Sequence, residues 1–518
     1  MNGTGPLAGF RVVEFSHFIA APSVGQRLAE LGAEVTKIEP PAGDPTRPEG
    51  RAGSAIFETY NRGKRSIVLD LNDPDDEALA FSLASGADIV IHNMSAASLA
   101  RHGLDGASVR AANPQIIYGS VRGFPSNTRR AHDKGFDGIG QAESGMLWVN
   151  GTAESGPLKL PYSPVDTVTG DALLQAVLAA VIKRLRTGEG SEVEVSLFEG
   201  GLHLQQTYWA DFLQSGVSPD PIGNLEPSVA PAAEILKVAD GTVIMSAYLP
   251  PHWEALCGLL GLDALVADPR FVNNEVRLAN QVELHGLIQD ALERLGWTVA
   301  EASEAFDGIR IPHGVVGSYQ DIFDGGLLQE SGQLAVATRA NGTQYQVFNA
   351  PYRVIGDDRP RKSAAPPVLG ADGDIVRAEV ARGEWGTRGS QSAADTGTQH
   401  VADLPRADGD PIQQGLDHRG YGTSFSSAAT DADSADAQDV ENGADLADAS
   451  LPTSFAGGGL GSEASVSLST RPDPRETSEA GSRWGESESA RAGGEPSTLP
   501  RDITASEEEI AETERRAS

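Results

Sequence analysis

Between residues 10 and 197, short apolar runs alternate with stretches patterned as helices. This alternation constrains the fold more than any other feature of the chain. Phe10–Phe15, Glu34–Glu39, Ser66–Leu71, Ala87–His92, Gln115–Val121 and Val193–Leu197 read as strands. The intervening helices carry recognisable ends. Val24–Leu31 stops at Gly32, and Asp73 caps a helix with Pro74 in its first turn that runs to Ser85. Ser95 caps another that ends at His102, before Gly103. In each case a side-chain oxygen takes first-turn amides, a proline sits where no amide is needed, or a glycine follows the last turn. Strands separated by helices pair in parallel, so these residues predict an α/β fold: a mostly parallel sheet covered on both faces. Ligands of such folds bind beyond the carboxyl ends of the strands.

The pattern changes after residue 220. Ala233–Ala247 reads as a hairpin turning at Asp240-Gly241. Helices follow at Trp253–Leu260, Asn280–Leu295 and Val299–Phe306, which together predict a smaller α+β domain. Short strands return from Gly314 to Phe348, and Ala364–Gly370 closes the ordered region. The expected division is 1–220 for the first part of a large domain, 221–320 for the small domain, 321–382 for a return to the large one, and 383–518 for a tail. The last lysine is Lys362, and from Ala371 onward 29 acidic residues face 12 basic ones. That stretch has isolated aromatics and little apolar periodicity, so it cannot bury enough surface to offset the entropy of ordering. A disordered acidic C-terminal tail is the expectation.

A net charge of −33 argues against nucleic acid or an anionic membrane as partner. The single cysteine, Cys257, lies in an apolar helix pattern and reads as a small core residue; it excludes a disulfide framework and a cysteine-based metal site. Without 18 consecutive apolar residues no membrane span is predicted. The opening residues, Met1 to Leu7, lack a charged region and an apolar core, so a cytoplasmic location is expected. The loop after the first strand, Ser16 to Gly25, lacks the Gly-x-Gly-x-x-Gly of nicotinamide dinucleotide enzymes.

One carboxylate stands out. Asp166 begins Asp-Thr-Val-Thr-Gly170, which leads into an apolar helix predicted over Ala172–Arg186. An acidic residue at a helix mouth is an ordinary decoration. It is also able to act as a nucleophile, and the strand–helix pattern puts this one at the edge of an open sheet.

The motifs, taken in order, resemble a known family. Pro6–Phe15, Leu31–Pro40, Gly43-Asp-Pro-Thr-Arg47 and Asn61–Asp70 are followed by Ala87–Asn93, Arg101-His-Gly-Leu104, Asn113–Tyr118, the Asp166 helix, Asp268-Pro-Arg-Phe271 and Pro366–Gly370. Together they resemble the family III CoA-transferases, the CaiB/BaiF type that includes formyl-CoA and carnitine CoA-transferases. The resemblance covers roughly residues 5–380. It implies an intertwined homodimer, each subunit with a Rossmann-like large domain and a small domain. It also implies transfer of CoA from an acyl-CoA to a carboxylic acid acceptor, with no permanently bound cofactor and no metal.

By the same resemblance Asp166 matches the nucleophile, which forms a mixed anhydride and then an aspartyl-CoA thioester. The helix amides near it are expected to stabilise charge at the reacting centre. Arg101 and Lys134 match positions that contact CoA, Asn93 and Met94 match a loop touching the nucleotide, Leu69 to Asn72 match another, and Ala20 lines the CoA channel. There are departures. Gly123–Lys134 replaces a glycine-rich loop, and its Arg129, Arg130 and His132 are either an exposed loop or a basic greeting for an acidic acyl group. The 2-methylacyl-CoA racemases of the same group carry Gly-His-Asp where this chain has Gly135-Phe-Asp137, so their proton exchange lacks a base here. A silent CoA-binding scaffold is the remaining alternative.

Overall fold

The computed structural model describes residues 5–47, 53–352 and 364–386. Six strands form one sheet: β1 (Arg11–Phe15), β2 (Glu34–Glu39), β3 (Arg65–Val68), β4 (Ile89–His92), β5 (Ile117–Arg122) and β6 (Ser191–Ser196). Their order is β3-β2-β1-β4-β5-β6 and every pairing is parallel. The order reverses between β1 and β4, where Phe15 stands opposite His92. Loops leaving two strands at such a reversal diverge and open a crevice.

The connecting helices are α1 (Ala20–Glu30), α2 (Gly53–Tyr60), α3 (Pro74–Ser85), α4 (Ala96–Arg101), α5 (Gly106–Ala112), α6 (Asp137–Glu143), α7 (Met146–Val149) and α8 (Pro164–Thr187). After β6 come α9 (Leu197–Leu204) and α10 (Gln206–Ser215). The expected caps form: Asp73 accepts from the amides of Asp75 and Asp76, and Ser95 from that of Ser98. Helix α1 starts four residues before Val24, because Pro22 falls in its first turn, where a missing N–H breaks no bond. Alternate strand residues face opposite ways. Val12, Ile89 and Ile91 pack with Leu28, Leu173 and Val177 on one side of the sheet, and Val13 and Val90 with Leu83 and Leu99 on the other.

Helix α8 is the one described helix long and apolar enough to cross a membrane by length and composition. Here Leu173, Val177 and Val181 are buried in the core, and Arg184 reaches Asp88 at 2.7 Å.

The next sheet is antiparallel. β7 (Glu234–Val238), β8 (Gly241–Met245) and β9 (His313–Val315) pair in that order, and the first two make the expected hairpin. Helices α11 (Pro250–Leu260), α12 (Asn274–Ala279), α13 (Gln281–Leu295) and α14 (Val299–Gly308) surround a core of Leu236, Trp253, Phe271, Ile288 and Phe306. Cys257 is buried there, as expected.

Beyond it lie α15 (Tyr319–Asp324), α16 (Leu327–Glu330) and a hairpin of β10 (Leu334–Thr338) and β11 (Gln344–Phe348). The hairpin meets the first part of the chain: Arg339 grips both oxygens of Glu58, and Arg62 donates to the Phe348 carbonyl. Residues 364–386 then run along β3. Ser66 and Asp372 bond twice, and α17 (Gly373–Ala381) is tied by Glu379 to Arg65 and by Arg377 to Asp76. Trp385 is buried, donates to the Leu83 carbonyl at 2.9 Å, and lies 4.8 Å beneath the Arg11 guanidinium. The packed chain therefore runs past the expected boundary at Arg382. A composition average over the acidic stretch dilutes Trp385, an aromatic that belongs to the core. The expected disordered tail lies otherwise outside the described residues.

Candidate active site

Helix α8 begins at Pro164, eight residues before the expected Ala172, so Asp166 sits inside its first turn. Ser163 occupies the capping position but makes no side-chain bond. Its role falls to Asp137, at the start of α6. One oxygen of Asp137 accepts from the amides of Val165 (2.8 Å) and Asp166 (3.1 Å). The other accepts from Gln141, which also holds both backbone groups of Leu160. A capping carboxylate recruited from 29 residues away leaves no local signature, and so escapes a reading of sequence. One turn further on, Gly170 lets α1 approach: a Cβ there would lie 2.4 Å from Ser23 Oγ and 2.7 Å from the Ala20 carbonyl oxygen. Any larger residue at that crossing displaces the helix that carries Asp166.

These contacts put Asp166 at the carboxyl edge of the sheet, half-buried, with no ion-pair partner among the described residues. Burial, then the charge of Asp137, pushes its pKa up to about 7. A carboxylate of that basicity is a stronger nucleophile than an ordinary one and is still substantially ionised at neutral pH. The expectation that nearby helix amides serve the reacting centre needs correction, because those of Val165 and Asp166 are already given to Asp137. Tyr60 stands nearby: burial raises its hydroxyl pKa, and the charge of Asp166 adds to the rise.

The raised pKa has a consequence for stability. An acid whose folded pKa exceeds its unfolded value adds a cost that is absent below the unfolded pKa and complete above the folded one. Asp166→Asn is therefore expected to stabilise the protein by about 2–4 kcal/mol at pH 8, with the gain vanishing towards pH 4. Urea melts of both proteins across that range check the sign; a constant difference contradicts it.

The other expected site residues fall in two groups. Ala20 opens α1 after β1, Asn72 follows β3, Asn93 and Met94 follow β4, and Lys134 lies in the loop after β5, so all stand towards the carboxyl edge with Asp166. Arg101, at the end of α4, and Lys134 are exposed and make no ion pair among the described residues. Leu69 differs: it is 1% exposed and its side chain belongs to the core with Ile67 and Leu83, so only its backbone is left to meet a ligand. Asn93 is also committed. Its amide donates to the His17 carbonyl (2.7 Å) and accepts from the His17 N–H (3.1 Å), a clasp across the reversal point of the sheet.

The departing loop is pinched shut at its neck, where the backbones of Gly123 and Gly135 meet so closely that a Cβ on Gly135 would lie 2.5 Å from Gly123 Cα. Arg130 is spent within this region: it pairs with Asp133 and Glu143 and covers the Phe124 ring. It is not a free cation for an acyl group. Arg129 and His132 are exposed.

The parallel α/β sheet carries the candidate carboxylate at its carboxyl edge, and comparison with known proteins says to which family such a chain belongs. The profile of CoA-transferase family III matches residues 7–373, and the chain belongs to that family. It is similar to the succinate–glutarate CoA-transferase of Agrobacterium fabrum, with 33% identity over 73% of this chain and 96% of the relative. It is 30% identical to the acetyl-CoA:oxalate CoA-transferase of Acetobacter aceti, over 73% and 97% of the two chains. Among solved structures, a CaiB/BaiF family protein of Brucella suis superposes with a TM-score of 0.64 at 32% identity, covering 73% of this chain and 99% of that one. The protein is thus an enzyme of CoA transfer.

Proposed function

We propose that this enzyme carries CoA on Asp166 between an acyl-CoA donor and a carboxylic acid acceptor. The Asp166 carboxylate attacks the thioester carbonyl, giving a mixed anhydride and CoA thiolate. The thiolate then attacks the aspartyl carbonyl, which releases the donor acid and leaves an aspartyl-CoA thioester. An acceptor carboxylate attacks that thioester, and the thiolate returns to the acceptor's acyl carbon. Each bond broken is matched by an activated bond formed, so no other energy source enters. The observation that carries the reading is Asp166 itself, held in the first turn of α8 and made basic by burial and by Asp137.

Arg101 and Lys134, exposed and making no ion pair among the described residues, suit the phosphates of CoA. Relatives named for succinate, glutarate, oxalate and mesaconate support short dicarboxylic acids as donors and acceptors. A panel of acyl-CoA donors against mono- and dicarboxylic acids, read by mass spectrometry, tests this; transfer to none of them removes the reading.

Homodimerisation belongs to the same proposal. Helices α10, α15 and α16 bury no residue within the chain, yet present Leu213, Tyr319 and Leu327 at 76%, 93% and 72% exposure. Apolar faces of this kind call for cover, and a second copy is the occupant the family resemblance implies. Sedimentation as a monomer at micromolar concentration argues against it.

Racemisation is not expected. Phe136 is 66% exposed beside Asp137, and a phenyl ring does not exchange protons. In deuterated water a 2-methylacyl-CoA should keep its α-hydrogen while CoA moves between acids. Deuterium entering at the rate of transfer, and stopped by substituting His132 or His17, contradicts this.

A further inference from the structure

Four fully buried charges stand behind the transfer site: Glu14 on β1, Lys37 on β2, Asp44 in the following loop and Lys64 just before β3. Lys37 lies 3.1 Å from Glu14 and 3.0 Å from Asp44, and donates to the Ser16 carbonyl at 2.7 Å. Lys64 lies 2.8 Å from Glu14 and donates to the Pro22 carbonyl (2.9 Å) and to Asn61 Oδ1 (2.8 Å). The fit is tight, since a Cβ on Gly25 would lie 1.8 Å from Glu14 Oε2 and 3.1 Å from Lys64 Cε.

Burying ions costs several kcal/mol each, and well-packed apolar residues often serve stability as well or better. The cluster's placement suggests another purpose. Both neutral acceptors of Lys64 lie on segments that reach Asp166. Pro22 is in the first turn of α1, whose Ala20 and Ser23 press on Gly170, one turn beyond Asp166. Asn61 directly follows Tyr60, which feels the charge of Asp166.

We propose that Lys64 is a positioning residue for CoA transfer: its ammonium ties the first turn of α1 and the end of α2 to Glu14, and so holds Ala20 against Gly170, one turn beyond Asp166, and Tyr60 within reach of the Asp166 charge. The proposal rests on the reading of Asp166 as the covalent carrier.

A pH signature follows from the geometry. The groups facing Lys64 are Glu14 from β1, Lys37 from β2, Asp44 from the loop after β2, and the neutral Asn61 and Pro22 carbonyl. Burial brings its pKa down to about 7, with Glu14 working to keep the charge and Lys37 working against it. Lys37 differs: burial opposes its charge too, but Glu14 and Asp44 together hold its pKa above the usual lysine value. As pH rises through neutrality, Lys64 loses its proton and the tie slackens, while Asp166 must be ionised to react. The profile of kcat/KM, which reports the free enzyme, is then a bell with Asp166 on its acid limb and Lys64 on its alkaline limb.

The test measures kcat/KM for acyl-CoA-to-acid transfer from about pH 5 to about pH 9 in the full chain. Lys64→Met, assayed well below its melting temperature, is expected to lose about tenfold or more at neutrality and to lack the alkaline limb while keeping the acid one. Asn61→Asp puts a carboxylate where the amide oxygen now meets the ammonium, and is expected to move the alkaline limb upward by about one unit or more. That second variant decides the matter if Lys64→Met does not fold. A folded Lys64→Met with wild-type rates and both limbs, or an unmoved limb in Asn61→Asp, overturns the proposal alone. Absence of any CoA transfer by the unaltered protein overturns the reading of Asp166 and the proposal with it.

Discussion

Asp166→Ala is expected to lower CoA transfer by about a thousandfold or more while leaving the fold intact. The size of the effect follows from the lack of a substitute. The nearest carboxylate, Asp137, has both oxygens committed, one to the amides of Val165 and Asp166 and one to Gln141. It caps the helix and is itself buried, so it is not placed to stand in for Asp166. The fold survives because those backbone amides are unchanged by truncating the Asp166 side chain, and because the substitution removes a half-buried charge that Asp137 repels. Asp166→Asn isolates the chemistry further: the shape is kept and the nucleophile is lost. Initial rates with acyl-CoA and an acceptor acid, beside circular dichroism spectra, check both parts. A variant within tenfold of the wild-type rate removes Asp166 from the mechanism.

Trp385→Ala is expected to cost about 3–5 kcal/mol of stability, the range for deleting a buried large aromatic. The indole packs in the same core as Leu83 and Val376, its N–H satisfies the Leu83 carbonyl, and the Arg11 guanidinium lies over its face. Arg11 also donates to the Glu384 carbonyl, so the loss reaches the edge of β1. Ending the chain after Gly383 removes the same anchor and should cost a similar amount. Ending it after Gly386 removes only the acidic stretch and should cost little. Urea melts of the three proteins check this; coincident midpoints for Trp385→Ala and wild type contradict it.

The sheet was legible because its strands are short apolar or alternating runs, several of them bounded by caps and glycines, signals that act locally. Asp73 and Ser95 cap as their sequence context demands. The start of α8 was not legible, because its cap is Asp137, distant in sequence, and because Pro164 looks like a break until it is seen at the first helical position. Asp166 was singled out through the order of surrounding motifs, and its raised pKa was not foreseen, since burial and a neighbouring carboxylate arise only on folding. Leu69 shows the limit of carrying a contact over by motif: the residue follows β3, yet its side chain turns into the core. Lys37 and Lys64 look like surface charges in sequence, and only the parallel register of β1, β2 and β3 brings them onto Glu14.

The central claim is that Asp166 exchanges an oxygen with the acids it serves. In the scheme above, the acceptor carboxylate supplies the bridging oxygen of the second anhydride, and that oxygen stays on Asp166 when CoA departs. The direct measurement is turnover with an acceptor acid labelled with heavy oxygen, followed by proteolysis and mass spectrometry of the peptide containing Asp166. The mechanism predicts that this peptide gains heavy oxygen at Asp166, one atom after a single turnover and up to two on repeated turnover, only when acyl-CoA and acceptor are both present. Turnover that leaves the peptide unlabelled contradicts it.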